Sequence, residues 1–273
     1  MSNQKIDLID ERSRRNINSM DVNEGLYFGN FQGSGYFIKV RLGNFIESNI
    51  LIKGIWEPAL AEIISSFLND GEAVIDIGAN IGASSIPLAK KYKNSYFYLF
   101  EPHPSIFEDL IENIKNNSLS NCTATCAAVS NSNSEITFYA QKDSNKNMGL
   151  SSTRLNEDIG DYEKVKTKSI RIDEHFLNSK IRIGIIKIDT QGSEFEVLSS
   201  ATLTIEKWRP LVVFEFESEY FENETERQDG ANKLLTFFRK LNYKLYAIQN
   251  NSKYYPVLNL TGYFNGDIVA VPC

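Results

Sequence analysis

The segment Ile185–Ile186–Lys187–Ile188–Asp189–Thr190–Gln191–Gly192–Ser193–Glu194 joins an apolar run to Lys187, Asp189, a glycine turn and Glu194. In open α/β sheets, ligands bind in the crevice outside the carboxyl ends of the strands. Asp189 is therefore expected beside the reacting group, with Lys187 one side-chain repeat below it. Glu194 suits two roles, since an acid in a helix's first turn complements the dipole by ~0.3–1 kcal/mol. Arg209–Pro210–Leu211–Val212–Val213–Phe214–Glu215–Phe216–Glu217 repeats the pattern of an apolar run ending in acids. Alternate residues of a strand share a face, so Glu215 and Glu217 point the same way. Glu215 is the candidate on the substrate side, and Glu217 reads as an exposed strand end.

A third stretch is Val74–Ile75–Asp76–Ile77–Gly78–Ala79–Asn80–Ile81–Gly82. A strand runs through a glycine turn into a helix, where backbone can approach a ligand and N–H groups point outward. It departs from the dinucleotide fingerprint GxGxxG, because Asn80 stands where that motif has its second glycine. Asp76 precedes the first glycine, which suits a cationic ligand without a pyrophosphate. S-adenosylmethionine fits, its ammonium and sulfonium attracted by Asp76. Phe100–Glu101–Pro102 then places Glu101 about 20 residues on, the spacing of an acid that accepts from a ribose diol.

The 273 residues include 29 Lys+Arg and 35 Asp+Glu, a net charge of -6. This balance argues against broad nucleic-acid binding, which needs basic surface to neutralise phosphates. Hydrophobic residues make up 42% and charged ones 23%, as in a folded protein. The two histidines, His103 and His175, exclude a cluster of His ligands and turn the search for a base towards carboxylates. The three cysteines, Cys122, Cys126 and Cys273, form no CxxC pair and read as reduced thiols. The longest apolar runs, such as Leu211–Val212–Val213–Phe214, are strand-sized, so no membrane span is expected. Met1 to Asn23 lacks the apolar stretch of a secretory signal and reads as a loosely held extension of a cytoplasmic protein.

These residues need elements to position them. Short runs Leu26–Phe28, Tyr36–Val40 and Ile50–Ile52, punctuated by Gly33, Gly35 and Gly43–Asn44, predict a small antiparallel β unit within residues 1–55. Leu60, Ile63, Ile64, Phe67 and Leu68 mark one helix face. Strands are then expected at Ala73–Ile77, Tyr96–Phe100, Thr123–Val129, Ile136–Ala140, Ile183–Asp189, Leu211–Glu217, Tyr243–Ile248 and Asp267–Val271. Helices fall between them, through Leu88–Ala89, over Pro104–Lys115, from about Ser193, and over Gly230–Lys240. The alternation predicts an α/β fold with a mostly parallel sheet covered by helices on both faces. Gln141 to Asp161 has no clear period, as in a lid or tether.

The ordered set DIGANIG, FEP, Ala127–Ala128–Val129–Ser130, Gly149–Leu150–Ser151–Ser152, KIDTQGSE and RPLVVFEFE resembles the FkbM-type methyltransferases. Trp56–Glu57–Pro58 is similar to that family's entry segment. The resemblance implies a class I Rossmann-like fold over residues 56–273, with a seven-stranded sheet. It also implies methyl transfer from S-adenosylmethionine to a hydroxyl, often of a sugar or polyketide. By it, Asp76, Gly78, Ala79, Asn80 and Gly82 line the methionine end, and Glu101 with Pro102 the ribose. Ala128 lies by the adenine, and Ser151 and Ser152 face the pocket. Lys187, Asp189 and Glu194 match the family's acidic segment, although Thr190–Gln191 stands where Val–Glu is usual.

The expected reaction aligns an acceptor oxygen with the methyl carbon and sulfur. Asp189 is the candidate base or hydroxyl orienter, Glu215 the second, and Lys187 completes the catalytic set. A Mg²⁺ ion bridging Asp189 and Glu215 is a variant, because oxygen ligands suit it. The expected partner is a small-molecule or glycan hydroxyl acceptor, and a homodimer stays open. Two alternatives are a catalytically silent S-adenosylmethionine-binding module and a nicotinamide-dependent oxidoreductase.

Overall fold

The computed structural model describes residues 24–41, 44–141, 162–248, 254–257, 259–260 and 262–273. Strands β1 (Glu24–Phe31) and β2 (Ser34–Arg41) pair antiparallel around Gln32–Gly33. Both turn residues have positive φ, 46° and 91°, and that mirror-image turn matches the twist of a hairpin. The run Ile50–Leu51–Ile52, expected as a strand, lies instead in a helix, Phe45–Lys53. Its isoleucines favour strands, yet Ile50 and Leu51 bury together while Ile52 stays exposed. Gly54, at φ 86°, ends the helix by donating its N–H to the Ile50 carbonyl at 2.8 Å.

The alternating part follows. Helix Pro58–Phe67 leads to β3 (Ala73–Ile77), helix Ser85–Lys91, β4 (Tyr96–Phe100), helix Pro104–Asn116 and β5 (Cys122–Thr125). The single strand expected over Thr123–Val129 is broken, because Ala128–Val129 leaves the main sheet as β6. It joins β7 (Glu135–Gln141) and β8 (Tyr162–Ile170) in a sheet of order β6-β8-β7. The chain continues through helix Ile172–Phe176, β9 (Ile183–Ile188), helices Glu194–Ser200 and Thr202–Trp208, and β10 (Leu211–Glu217). Helix Glu224–Lys240 begins six residues before the expected Gly230, where the Asn223 side chain accepts from the Glu226 N–H at 2.9 Å. β11 (Tyr243–Ile248), β12 (Tyr254–Pro256) and β13 (Asn265–Pro272) complete the fold.

The main sheet has eight strands in the order β12-β11-β13-β10-β9-β3-β4-β5. The eighth, beyond the expected seven, is the three-residue edge strand β12. β5, β4, β3, β9 and β10 run parallel, and β13 inserts antiparallel between β10 and β11. This is an α/β fold around a mostly parallel sheet, with both faces of the sheet covered. One face packs Val74, Ile185, Val213 and Val269 under the hairpin and the helices from Pro58, Ser85 and Pro104. The other packs Ile75, Ile186, Val212 and Ile268 under the helices from Ile172, Glu194, Thr202 and Glu224. Each apolar side chain fully buried here contributes ~1.5–3 kcal/mol.

Side-chain amides join the hairpin to the sheet layer. Asn113 Oδ1 accepts from the Lys39 N–H at 2.7 Å, and its Nδ2 donates to the Ile81 carbonyl at 2.9 Å. Asn117 bonds the Phe37 N–H and carbonyl in the same way. Arg41 adds a two-pronged bond to Asp109. An edge strand that would expose unpaired backbone groups is thus satisfied by a neighbouring helix. No described helix is long and apolar enough to cross a membrane.

Candidate active site

The strand register decides which charges meet. Asp76 in β3 lies opposite Lys187 in β9, and Lys187 opposite Val213 in β10. Glu215, two residues on, pairs with Asp267 of β13. Asp76, Lys187, Glu215 and Asp267 therefore follow Val74, Ile185, Val213 and Val269 onto one face, at the carboxyl ends of the parallel strands.

The loop after β3 is shaped by close backbone contact. Gly78 has φ 80°, and a Cβ there would lie 1.8 Å from the Asp189 carbonyl oxygen. Only glycine fits, and the crossing holds Asp189 against the loop. The N–H groups of Gly78 and Ala79 both donate to the Phe100 carbonyl, at 2.9 and 3.0 Å. These groups are spent inside the fold, not turned outward to a ligand. Gly82 serves packing, since a Cβ there would meet Ile86 at 2.7 Å and Leu110 at 2.8 Å. Glu101 is fixed at both oxygens, by the His103 N–H at 2.8 Å and the Asn80 N–H at 2.9 Å. Burial pushes its carboxyl up to about 7 against the pull of these two donors.

Asp76 has no exposed surface. Its Oδ2 accepts from Ser85 Oγ at 2.6 Å, and its Oδ1 lies 3.7 Å from Lys187 Nζ. Lys187 Nζ also stands 3.3 Å from Asp189 Oδ2. Burial disfavours the lysine's charge, but Asp76, Asp189, Glu57 and Asp267 outweigh it and hold the ammonium above its ordinary value. Gln191 Nε2 donates to Asp189 Oδ1 and to Glu215 Oε2, both at 3.0 Å. Tyr220 donates its hydroxyl to Gln191 Oε1. Burial and then Asp189 push the Glu215 carboxyl far above the carboxylate range.

A single cavity runs over these strand ends. Gly78, Ala79, Asn80, Glu101 and Pro102 line it on one side, and Lys187, Asp189 and Glu215 on the other. Ala128 joins Ile106, Val129 and Phe138 in an apolar wall between β4, β6 and β7. Asp76 and Gly82 lie behind the wall, and Ser151 and Ser152 lie outside the described residues. Glu194 serves the turn, its Oε1 accepting from the Gly192 N–H at 2.9 Å and Thr190 Oγ1 at 3.2 Å. Glu217 is pushed up to about 7 by burial and neighbouring Glu219. His103 is buried edge-on to Phe138, and His175 packs by Phe176. No group of three or more His, Cys, Asp or Glu able to hold a metal occurs among the described residues.

Glu57, Phe45, Ser84 and Tyr220 also line the cavity; of these, the sequence singled out only Glu57, within the Trp56–Glu57–Pro58 segment, and Tyr220, within the region expected to shape substrate choice. Asp267 is held at the same edge and is pushed up to about 6 by burial, against the pull of Lys187. For Glu57 and Tyr220 the available signal was weak: a glutamate before a helix-opening proline, and a tyrosine three residues beyond an acid-ended strand.

The buried carboxyls make stability depend on pH. Burial raises Glu57, Glu101 and Glu194 from 4.5 to about 7. The folded chain then keeps protons that the unfolded chain releases. That contribution is fully present below about 4.5 and is lost as pH rises through about 7. The melting temperature of the ligand-free protein should therefore fall across this window in a thermal-shift series. A steady rise over the same window would contradict the burial of these acids.

Comparison with known proteins adds a second line. Residues 76–245 match the family described as "Methyltransferase FkbM domain", more than half of the 273 residues. Methyltransferase 1 of Beauveria bassiana (strain ARSEF 2860) is 25% identical over 145 residues, 47% of this chain and 58% of that protein. Methyltransferase sdnD of Sordaria araneosa is 24% identical over 200 residues, 60% of this chain and 76% of its own length. The solved methyltransferase FkbM from Methylobacillus flagellatus KT aligns with a TM-score of 0.47 and 15% identity, over 82% of this chain and 52% of that one. The chain thus spans a little over half the length of the Beauveria relative and of the Methylobacillus structure. The matched span opens on Asp76 and takes in the glycine loop and both acid-bearing strand ends, and the chain belongs to the FkbM methyltransferase family.

Proposed function

We propose that the chain transfers a methyl group from S-adenosylmethionine to a hydroxyl of a sugar, a glycan precursor or another polyol-like acceptor. The cavity residues fit that donor. An apolar wall at Ile106, Ala128 and Phe138 suits a flat base, and Glu101 beside it suits a ribose diol. Carboxylates dominate the other end, and the Lys187 charge is engaged by Asp76 and Asp189. A cationic ligand is welcome there, and a pyrophosphate is not.

When bound, S-adenosylmethionine supplies an activated methyl group on a good leaving group. The protein's part is alignment and proton removal. Asp189 carries the reading: it is the carboxylate that sits on the cavity wall with its side chain 27% exposed while ion-paired to Lys187. It accepts the acceptor hydroxyl's proton, and Lys187 and Gln191 fix its direction. Glu215, protonated at neutral pH through burial, donates to the acceptor's neighbouring oxygen. Both groups answer to a hydroxyl-rich acceptor better than to an apolar one.

The magnesium variant finds no support. The Gln191 amide donates to both carboxylates that the ion would bridge. A protonated Glu215 is also a poor ligand for a hard cation.

The test is radiolabelled methyl transfer into sugar nucleotides, glycolipid precursors and small polyols, with and without EDTA. Label that survives mild alkali as an ether, at equal rates with the chelator, is expected. Alkali-labile ester label would overturn the hydroxyl acceptor, and a rate abolished by EDTA would restore the metal. Calorimetric binding of NADH without binding of S-adenosylhomocysteine would overturn the reading altogether.

A further inference from the structure

The acid in the glycine-loop motif is placed where it cannot meet a ligand. Asp76 has no exposed surface, one oxygen takes the Ser85 hydroxyl, and the other faces Lys187. Something else must receive a positive head group at this end of the cavity. Besides Glu215, whose Oε2 takes the Gln191 amide, three carboxyl side chains line the cavity wall. Glu101 holds one backbone N–H on each oxygen, and the proposed function commits its remaining acceptor capacity to the ribose. Asp189 is divided between Lys187 and Gln191. Glu57 differs from both. Its Oε2 accepts from Ser84 Oγ at 2.8 Å, and no described residue donates to its Oε1. Ser84 follows the glycine loop and lies on the same wall, so this bond places the Glu57 carboxylate over the loop.

The backbone supports a placed side chain. Glu57 has φ 46° and ψ 56°, although it is not glycine and precedes Pro58. A left-handed conformation at such a residue is sparsely populated and persists only where the surroundings impose it. Tyr27 and Tyr36 both donate to the Gly54 carbonyl three residues earlier, at 3.2 and 3.1 Å, and fix the approach of this segment. The hairpin thereby delivers Glu57 to the cavity.

We propose that Glu57, and not Asp76, receives the α-ammonium of the methyl donor's amino-acid end. This rests on the reading of the donor as S-adenosylmethionine. The electrostatics agree. Burial pushes the Glu57 carboxyl up to about 7, ahead of the opposing pull of Lys187. An arriving ammonium restores its charge and is partnered in return.

The experiment compares S-adenosylhomocysteine with 5′-methylthioadenosine, the same nucleoside thioether without the amino-acid end. Calorimetry is run on the wild-type chain and on Glu57→Gln, which keeps size and shape. Wild type should bind both. Glu57→Gln should lose about 10- to 100-fold in affinity for S-adenosylhomocysteine, the range for a hydrogen bond to a charged group, and keep its affinity for methylthioadenosine. N-acetylated S-adenosylhomocysteine should show the complementary pattern, weakened on wild type and no weaker on the variant. Unchanged S-adenosylhomocysteine affinity would overturn the proposal. Parallel loss of both ligands would also overturn it, making Glu57 a structural residue. Wild-type failure to bind either ligand would instead remove the cofactor reading on which the proposal stands.

Discussion

Asp189→Asn is expected to lower kcat by about 10²–10⁴-fold, the range for a positioned general base. S-adenosylhomocysteine should still bind, because the loop and Glu101 are untouched. The substitution keeps the Gln191 contact, since the Asn carbonyl can accept the bond that Asp189 Oδ1 receives at 3.0 Å. What disappears is a group able to take a proton. Glu215→Gln is the matched control. Burial already keeps Glu215 protonated, so the amide replaces one donor by another. A loss of about tenfold or less is expected there, the worth of one neutral hydrogen bond. The pair of variants thus separates proton removal from acceptor orientation. Wild-type turnover in Asp189→Asn, measured with the best acceptor at saturating donor, would dismiss Asp189 as the base. A larger loss in Glu215→Gln than in Asp189→Asn would exchange their roles.

Lys187→Met should produce the largest loss of stability. The lysine side chain is 6% exposed and Asp76 beside it 1%. Removing one member of a buried pair leaves an uncompensated charge and costs ~3–5 kcal/mol. In a protein of this size that lowers the melting temperature by roughly 6–20 °C. Because the harm comes from stranded carboxylates, a second substitution should repair part of it. Asp76→Asn keeps an acceptor for Ser85 and removes the charge facing the missing ammonium. The double variant should therefore melt above Lys187→Met alone, a non-additivity expected of residues in direct contact. Equal melting temperatures for the single and double variants would show that Lys187 acts through packing of its stem.

Much of the sheet was legible because its central strands are fully buried and hence, apart from Asp76 and Lys187, apolar. Ala73–Ile77, Ile183–Ile188 and Leu211–Phe214 carry no alternation that could mislead. The acids ending those runs stand out for the same reason. Three things stayed hidden, each with a physical cause. β8 reads as Tyr162–Glu163–Lys164–Val165–Lys166–Thr167–Lys168, a half-exposed strand whose polar face dominates its composition. β6 has two residues, too short for any period. The helix Phe45–Lys53 carries β-branched residues that favour a strand until tertiary packing overrides them. The site shows the same division. Asp189, Glu215 and Glu101 were readable as strand-end acids. Asp76 was equally readable, but the parity that puts it opposite Lys187 also turns it inward, a fact of register that no single strand contains. Glu57 and Asp267 reach the cavity edge from 210 positions apart in sequence, and only the assembled sheet brings them together.

The insertion of β13 between β10 and β11 imposes an order of assembly. β11 has no hydrogen-bonded route to the parallel half of the sheet except through β13. The pairs β3–β4, β4–β5 and β9–β10 can zip up as each strand becomes available, since these partners are close in sequence, whereas β3 and β9 meet across a long separation. β11 joins this part of the sheet only when residues 265–272 slot in, and β10, β13 and β11 are then linked by one event. Glu215 and Asp267 meet at that moment as well. The pairing of Glu215 with Asp267 thus depends on the same closure that holds β11 in the sheet, and hydrogen exchange should find β3 and β9 slower than β11.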